Sequence, residues 1–313
     1  MVSAVIFVAT SCVSPLTGFA FWETNLAYEG ESIYNYLQVK NLSDRTILST
    51  NVLFGVQSVT MKDKGLTGMY YDTALAAPAL ADNANSALIL GMGTGTYARQ
   101  LKQYYPKMNI TGVEIDQKIT DLAGEYFDEP ADIPVTTYDG RAWLAASHDK
   151  YDVIMVDAYQ DITIPFQMSS TEFFTMVREH LNPGGVMVVN MNMISDGQGS
   201  INEALSDTIA SVFGNGNTLT ADVPNTTNRE LFAKKPGSGS EENSMQQASK
   251  ALNLRETNYE RTGSEDLEWY MEEVASRFRK VNEPDSASTI LTDDKAPVEV
   301  LGMHAIDQII ADE

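Results

Sequence analysis

The chain has 313 residues, 43% hydrophobic and 20% charged, which is enough length and apolar content for a packed core and excludes a disordered segment. A formal net charge of −22 argues against a nucleic-acid binder, which needs a basic face, and suits a cationic substrate such as a polyamine; an acid-rich solvated surface gives the same balance. The lone Cys12 excludes an intrachain disulfide and a cysteine zinc site, and His148, His180 and His304 have no metal-ligand spacing, so no metal is expected.

Residues 1–22 carry no charge and are just long enough to span a bilayer, with Trp22 where an interfacial aromatic belongs. They read as a membrane-anchoring helix; a buried core helix is the other reading. Residues 23–80 read as a small antiparallel β unit of about three strands with a linking helix: Ser32 to Val39, Arg45 to Thr50 and Gly55 to Thr60 as strands, then a helix over Tyr70 to Leu80.

Residues 81–235 repeat a strand–helix pattern. Strands are expected at Ala87–Leu90, Asn109–Val113, Pro134–Tyr138, Asp152–Val156 and Val186–Asn190, with helices near Tyr97–Tyr105, up to Phe127, and over Ser170–His180. Such alternation predicts an α/β fold with a mostly parallel, Rossmann-like sheet covered by helices on both faces. Two further strands are expected at Thr218–Val223 and Glu230–Lys234. Residues 236–313 begin with a low-complexity loop, continue as an amphipathic helix over Asp266–Lys280 with Leu267, Tyr270, Met271, Val274 and Phe278 on one stripe, and pack on the domain.

In a sheet of this kind ligands bind outside the carboxyl ends of the strands. Four successive strands end on glycine or an acid: Gly91, Glu114, Asp139 and Asp157, with Asp116 close by. One such acid is commonly a helix cap; four in register point to a ligand. The turn Gly91-Met92-Gly93-Thr94-Gly95 allows close backbone approach, lacks the last glycine of a dinucleotide fingerprint, and is no P-loop. Glu114, about 20 residues further on, suits a carboxylate that takes both hydroxyls of a ribose. Asp139 suits an adenine amino group, and together they favour an S-adenosyl sulfonium ligand, in a methyltransferase-type fold.

From about Ser32 to Asn192, with a weaker echo at Thr292 to Glu299, the residues resemble the spermidine/spermine synthase family of polyamine aminopropyltransferases, especially bacterial members fused to membrane segments. The family's Tyr-Gln strand and second Gln look like Tyr34-Asn35 and Gln57, its Tyr-His-Glu segment like Tyr70-Tyr71-Asp72, and its glycine turn like Gly91 to Gly95. Its ribose acid matches Glu114, its adenine-site Asp-Gly matches Asp139-Gly140, and its catalytic strand end looks like Asp157-Ala158-Tyr159-Gln160-Asp161. Two acids of the family pattern are replaced, by Thr94 in the turn and by Gln160 in the catalytic loop.

The resemblance implies an enzyme moving an aminopropyl group from decarboxylated S-adenosylmethionine to an amine, releasing methylthioadenosine. It implies Asp157 as catalytic residue, Gln57, Gly91, Gly93, Gly95, Glu114, Asp139 and Gly140 around the co-substrate, and Tyr70, Tyr71, Tyr159 and Gln160 around the amine. It also implies a bacterial, membrane-associated protein with a cytoplasmic catalytic domain (cytoplasmic throughout if residues 1–22 do not insert), and a homodimer. Two other readings remain open: an S-adenosylmethionine-dependent methyltransferase on the same scaffold, and a non-catalytic nucleoside- or polyamine-binding module.

Overall fold

The computed structural model describes Ala20 and residues 23–51, 55–128, 130–158, 164–191, 199–237 and 254–303. The proposed anchor over residues 1–22 lies, Ala20 apart, outside the described residues, as do most of the low-complexity loop and Tyr159 and Gln160. Among the described residues no helix is long and apolar enough to cross a membrane.

The N-terminal unit is an antiparallel meander of four strands in chain order, β1 (Leu26–Glu31), β2 (Tyr36–Asn41), β3 (Arg45–Thr50) and β4 (Ser58–Met61). The single strand expected from Ser32 to Val39 is instead the turn of a hairpin and the strand leaving it. The Ser32 hydroxyl accepts from the backbone N–H groups of Tyr34 (3.0 Å) and Asn35 (2.9 Å). A serine that binds its own turn overrides the β-propensity of the aromatic residues after it.

This unit is tied to the main domain at Asp116. Its carboxylate caps the following helix by accepting from Lys118 N–H (3.0 Å), and also takes Ser32 Oγ (2.5 Å) and Asn35 Nδ2 (3.0 Å). Leu37, Val39 and Leu48 of the meander pack on Ile119, Leu122 and Phe127 beneath it. Asp116→Ala is expected to cost about 1–2 kcal/mol through the lost cap and tether. Urea unfolding measures it, and a variant as stable as the parent refutes the tether.

The helix expected over Tyr70–Leu80 is two short ones, α1 (Tyr70–Ala74) and α2 (Ala76–Leu80). Pro78 has no N–H to return to the Ala74 carbonyl, so the helix breaks, and the Tyr97 hydroxyl donates to that carbonyl instead (3.1 Å).

The main sheet follows: β5 (Ser86–Leu90), α3 (Thr96–Tyr104), β6 (Asn109–Glu114), α4 (Gln117–Tyr126), β7 (Val135–Thr137), α5 (Gly140–Ala146), β8 (Tyr151–Val156), α6 (Thr171–His180), β9 (Leu181–Met191), α7 (Ile201–Phe213), β10 (Thr218–Asp222), β11 (Arg229–Lys234), α8 (Leu254–Thr262), α9 (Glu265–Arg277) and β12 (Arg279–Lys280). Its order is β12-β10-β11-β9-β8-β5-β6-β7. The strands β7, β6, β5, β8 and β9 are parallel, and β11, β10 and β12 are added antiparallel. All five predicted alternating strands are present, and the fold is the expected Rossmann-like one.

Each face of the sheet carries its own core. Tyr97, Met155, Val188 and Phe232 lie on the side of α1, α3 and α9. Val156, Val189, Leu231 and the phenylalanines of α6 lie on the other. Helix α9 buries the predicted stripe, with Leu267, Met271 and Val274 fully enclosed, but it stops at Arg277 so that Arg279 and Lys280 can join the sheet edge.

Candidate active site

The chain lays down β5, β6 and β7 in one direction and returns to place β8 on the other side of β5. That reversal opens a crevice at the carboxyl ends of β5 and β8. Gly91 follows β5 and Asp157 follows β8, and the two backbones touch there. Gly91 sits at φ 86°, and a side-chain carbon on it would strike the Asp157 carbonyl and Ala158. Gly93, at φ 56°, faces Ser58 of the meander, and its N–H donates to Glu114 Oε2 (2.8 Å). Gly95, at φ 80°, turns the chain into α3 and stands back from the crevice.

The result is a cavity of about 380 Å³, roofed by Leu48, Gln57 and Ser58 of the meander and by the tyrosines of α1. Tyr70 and Tyr71 stack with centroids 4.0 Å apart. Tyr71 donates its hydroxyl to the Gln57 carbonyl (2.7 Å). Asp72, the third residue of that segment, does not line the cavity. It is fully buried and receives Thr67 N–H (2.9 Å), Thr67 Oγ1 (2.8 Å), Gly68 N–H (2.6 Å) and the Gln100 amide, which fixes the loop that aims Tyr70 inward.

Tyr70 donates to Asp157 Oδ2 (2.7 Å), and Asn190, at the end of β9, donates its amide to Oδ1 (2.9 Å). Desolvation pushes the Asp157 carboxyl up to about 7, against the opposite pull of those two donors and with a smaller upward push from Glu114. Burial and the neighbouring Asp157 hold the Tyr70 phenol well above its ordinary range, so it serves as a donor. Asn190 is oriented in turn by Asn228, whose amide donates to its Oδ1 (2.8 Å).

Across the cavity Glu114 accepts from the N–H groups of Gly93 and Asp116 (3.0 Å for the latter), while burial raises its pKa. Asp139 caps α5 by accepting from Ala142 N–H (2.7 Å) and lines the cavity beside Gly140. Of the strand-end acids, then, Asp116 and Asp139 do cap helices, whereas Glu114 and Asp157 do not.

Thr94, where the sequence departs from the family turn, is fully buried, lies outside the cavity wall, and has a hydroxyl with no partner among the described residues. The cavity thus gathers Gln57, Tyr70, Tyr71, Gly91, Gly93, Glu114, Asp139, Gly140 and Asp157 of the predicted set.

Sequence reasoning passed over Asn190 and Asn228. Asn190 carried a signal, being the polar residue that ends the run Val186-Met-Val-Val189 on a parallel strand. Asn228 carried none, because it reaches the site from the antiparallel extension. Among the described residues no cluster of histidine, cysteine and acidic side chains is arranged to hold a metal.

Residues 69–235 match the Spermine/spermidine synthase domain. A "Probable polyamine aminopropyl transferase" of Bifidobacterium longum (strain NCC 2705) is 99% identical over 313 residues, covering 100% of this chain and 70% of that protein. A probable spermidine synthase from Corynebacterium glutamicum ATCC 13032 superposes with a TM-score of 0.59 at 22% identity, covering 85% of this chain and 99% of that one. A spermidine synthase in complex with the transition-state analogue AdoDATO superposes at 0.53 with 19% identity, over 67% of this chain and 72% of that one. The alternating sheet, the glycine turn and the acids gathered around it agree with that match: the chain belongs to the spermine/spermidine synthase domain family.

Proposed function

We propose that the cavity transfers an aminopropyl group to an amine, which makes the chain a polyamine aminopropyltransferase. The observation that carries the residue assignment is Asp157: a carboxyl with a pKa near 7, held by Tyr70 and Asn190, at the topological switch point and facing a glycine turn whose Gly93 N–H is held by Glu114.

The co-substrate is decarboxylated S-adenosylmethionine. Glu114 takes its ribose hydroxyls, Asp139 and Gly140 its adenine edge, and Gly91 and Gly93 let it lie close to the backbone. Gln57 closes over it. Tyr70 and Tyr71 form the wall between the co-substrate and the amine, with Tyr159 and Gln160 assigned to the amine side.

A free amine nitrogen attacks the methylene carbon bonded to the sulfonium; the new C–N bond forms as the C–S bond breaks, its electron pair stays on sulfur, and methylthioadenosine leaves. The sulfonium is already activated, so the protein's task is alignment and proton removal. Asp157 first takes a proton from the bound ammonium, which frees the nitrogen lone pair that attacks; Tyr70 and Asn190 fix its two oxygens for that task. The surplus of acids draws the polycation in.

Incubation with an amine and each of the two co-substrates is the test. Methylthioadenosine from the decarboxylated form supports the proposal; S-adenosylhomocysteine from the carboxylated form would establish methyl transfer instead. The anchoring helix over residues 1–22 and a homodimer belong to the same proposal. The uncharged run of residues 1–22 supports the first and the family resemblance supports the second.

A further inference from the structure

Glu230 is a wholly buried carboxyl near the site that the proposed mechanism does not use and that, unlike Asp72, receives no donor among the described residues. It lies in the first turn-ward half of β11, fully enclosed, and neither of its oxygens has a hydrogen-bond partner among the described residues. Its place in the sheet is fixed by register. Glu230 sits opposite Asn190 in the β11–β9 ladder, and Asn190 stands beside Asp157, one step beyond the Val156–Val189 pair of the β8–β9 ladder.

Side chains alternate along a strand. Met155, Val188 and Phe232, each two residues away from one of the three, share one core, while Val156, Val189 and Leu231 share the other. Asp157, Asn190 and Glu230 therefore form a row on one face, across three adjacent strands, ending at the cavity.

The groups around Glu230 supply no countercharge. Lys234, on the same face of β11, commits its ammonium to the Leu80 carbonyl (2.9 Å) and to Asp82 (2.7 Å). From α3 comes Tyr97, whose hydroxyl is donated to Ala74; from α1 comes Tyr70, whose hydroxyl is donated to Asp157. The charge that acts on it is Asp157, of like sign, and Glu114 acts on Asp157 in turn. Burial and Asp157 both push the Glu230 pKa well above its ordinary value. Two carboxyls in one dry row do not both ionise without a cation between them, and Asp157, which has the donors, is the one that carries the charge.

We propose that Glu230 is a positioning residue held protonated while the amine site is empty, which gives up its proton when a cationic amine docks on Asp157, so that the Asp157–Glu230 row carries one negative charge when the site is empty and two when it is filled. The proposal rests on Asp157 being the amine site. The carboxyl O–H of Glu230 breaks, its electron pair remains as the second carboxylate charge, and the proton ends in bulk water. The protein thereby escapes holding two like charges in one buried row, and still meets a polycation with two.

The test is calorimetric titration of 1,4-diaminobutane into the full chain at about pH 8.5, where Asp157 is already ionised and the probe is still cationic. Repeating it in buffers of different ionisation enthalpy gives the number of protons released. The parent is expected to release close to one proton per amine bound, whereas Glu230→Gln releases few or none while binding about tenfold more weakly. Glu230→Met repeats the measurement if the glutamine variant folds poorly. Proton release that is absent from the parent, or unchanged in Glu230→Gln, overturns the proposal. Asp157→Asn separates this from the reading beneath it: if that variant binds the diamine as the parent does, Asp157 is not the amine site and the assignment of the cavity falls first.

Discussion

Asp157→Asn is expected to lower kcat by about 10²–10⁴-fold, the range over which a positioned general base contributes. The KM for the nucleoside co-substrate should change little, because that ligand is assigned to Glu114 and the glycine turn on the other side of the cavity. In the parent, kcat/KM should rise with pH through about 7 as Asp157 of the free protein ionises. The variant should lose that limb. Stability should move the other way. The folded-state pKa lies above the unfolded one, so the protonated folded form is favoured at low pH and that advantage is lost as pH rises through about 7. Above pH 7 the asparagine variant, free of a buried charge, is expected to be the more stable protein. A pH–rate profile and thermal melts at two pH values check both halves, and a variant that retains parental kcat would remove Asp157 from the mechanism.

Gly91→Ala has the second large effect. The residue's left-handed backbone disfavours any side chain, and the added carbon meets the backbone of Asp157 and Ala158, which has no flexible end to swing away. A cost of about 2–4 kcal/mol is expected from strain and displacement together. Because the clash pushes on the residue assigned to the chemistry, kcat should fall along with the denaturation midpoint. Gly95→Ala meets the same backbone penalty, yet Gly95 lies outside the cavity wall, so its loss should appear chiefly in stability. Comparing the two variants by urea unfolding and initial rates separates strain from site damage. Equal activity losses would mean that the close approach at Gly91 has no special part.

The parallel half of the fold was legible because its strands are short apolar runs ending on glycine or acid, a pattern that buried strands impose. Asp157, Glu114 and Asp139 were legible for the same reason, since strand ends in such a sheet face the ligand crevice. Elsewhere the sequence carried weaker signals. Helix α7 was missed because it is enclosed nearly all round, with Asn202, Asp207 and Thr208 buried beside Ile201, Leu205 and Ile209, so no polar stripe marks it. The strand Leu26–Glu31 was missed because Gly30 and two glutamates blur its alternation. Asp116 looked like a ligand group and is a cap and tether, a distinction set by Ser32 and Asn35, more than 80 residues earlier in the chain. Asn228 depends on a register between antiparallel strands that composition does not reveal.

The sheet changes direction between β9 and β11, and this divides the cavity by ancestry of parts. The part of it proposed to hold the nucleoside is built, under Gln57, mainly from one continuous stretch, Gly91 to Gly140, whose geometry is locked to parallel strands and their helices. Its inner end borrows Asn228 from the β10–β11 hairpin, a connection with no helix to hold its length. Insertions or exchanges in residues 223–228 can therefore reshape the inner end while the outer one stays still, so the hairpin is the place to graft if the proposed acceptor is to be changed without the proposed donor.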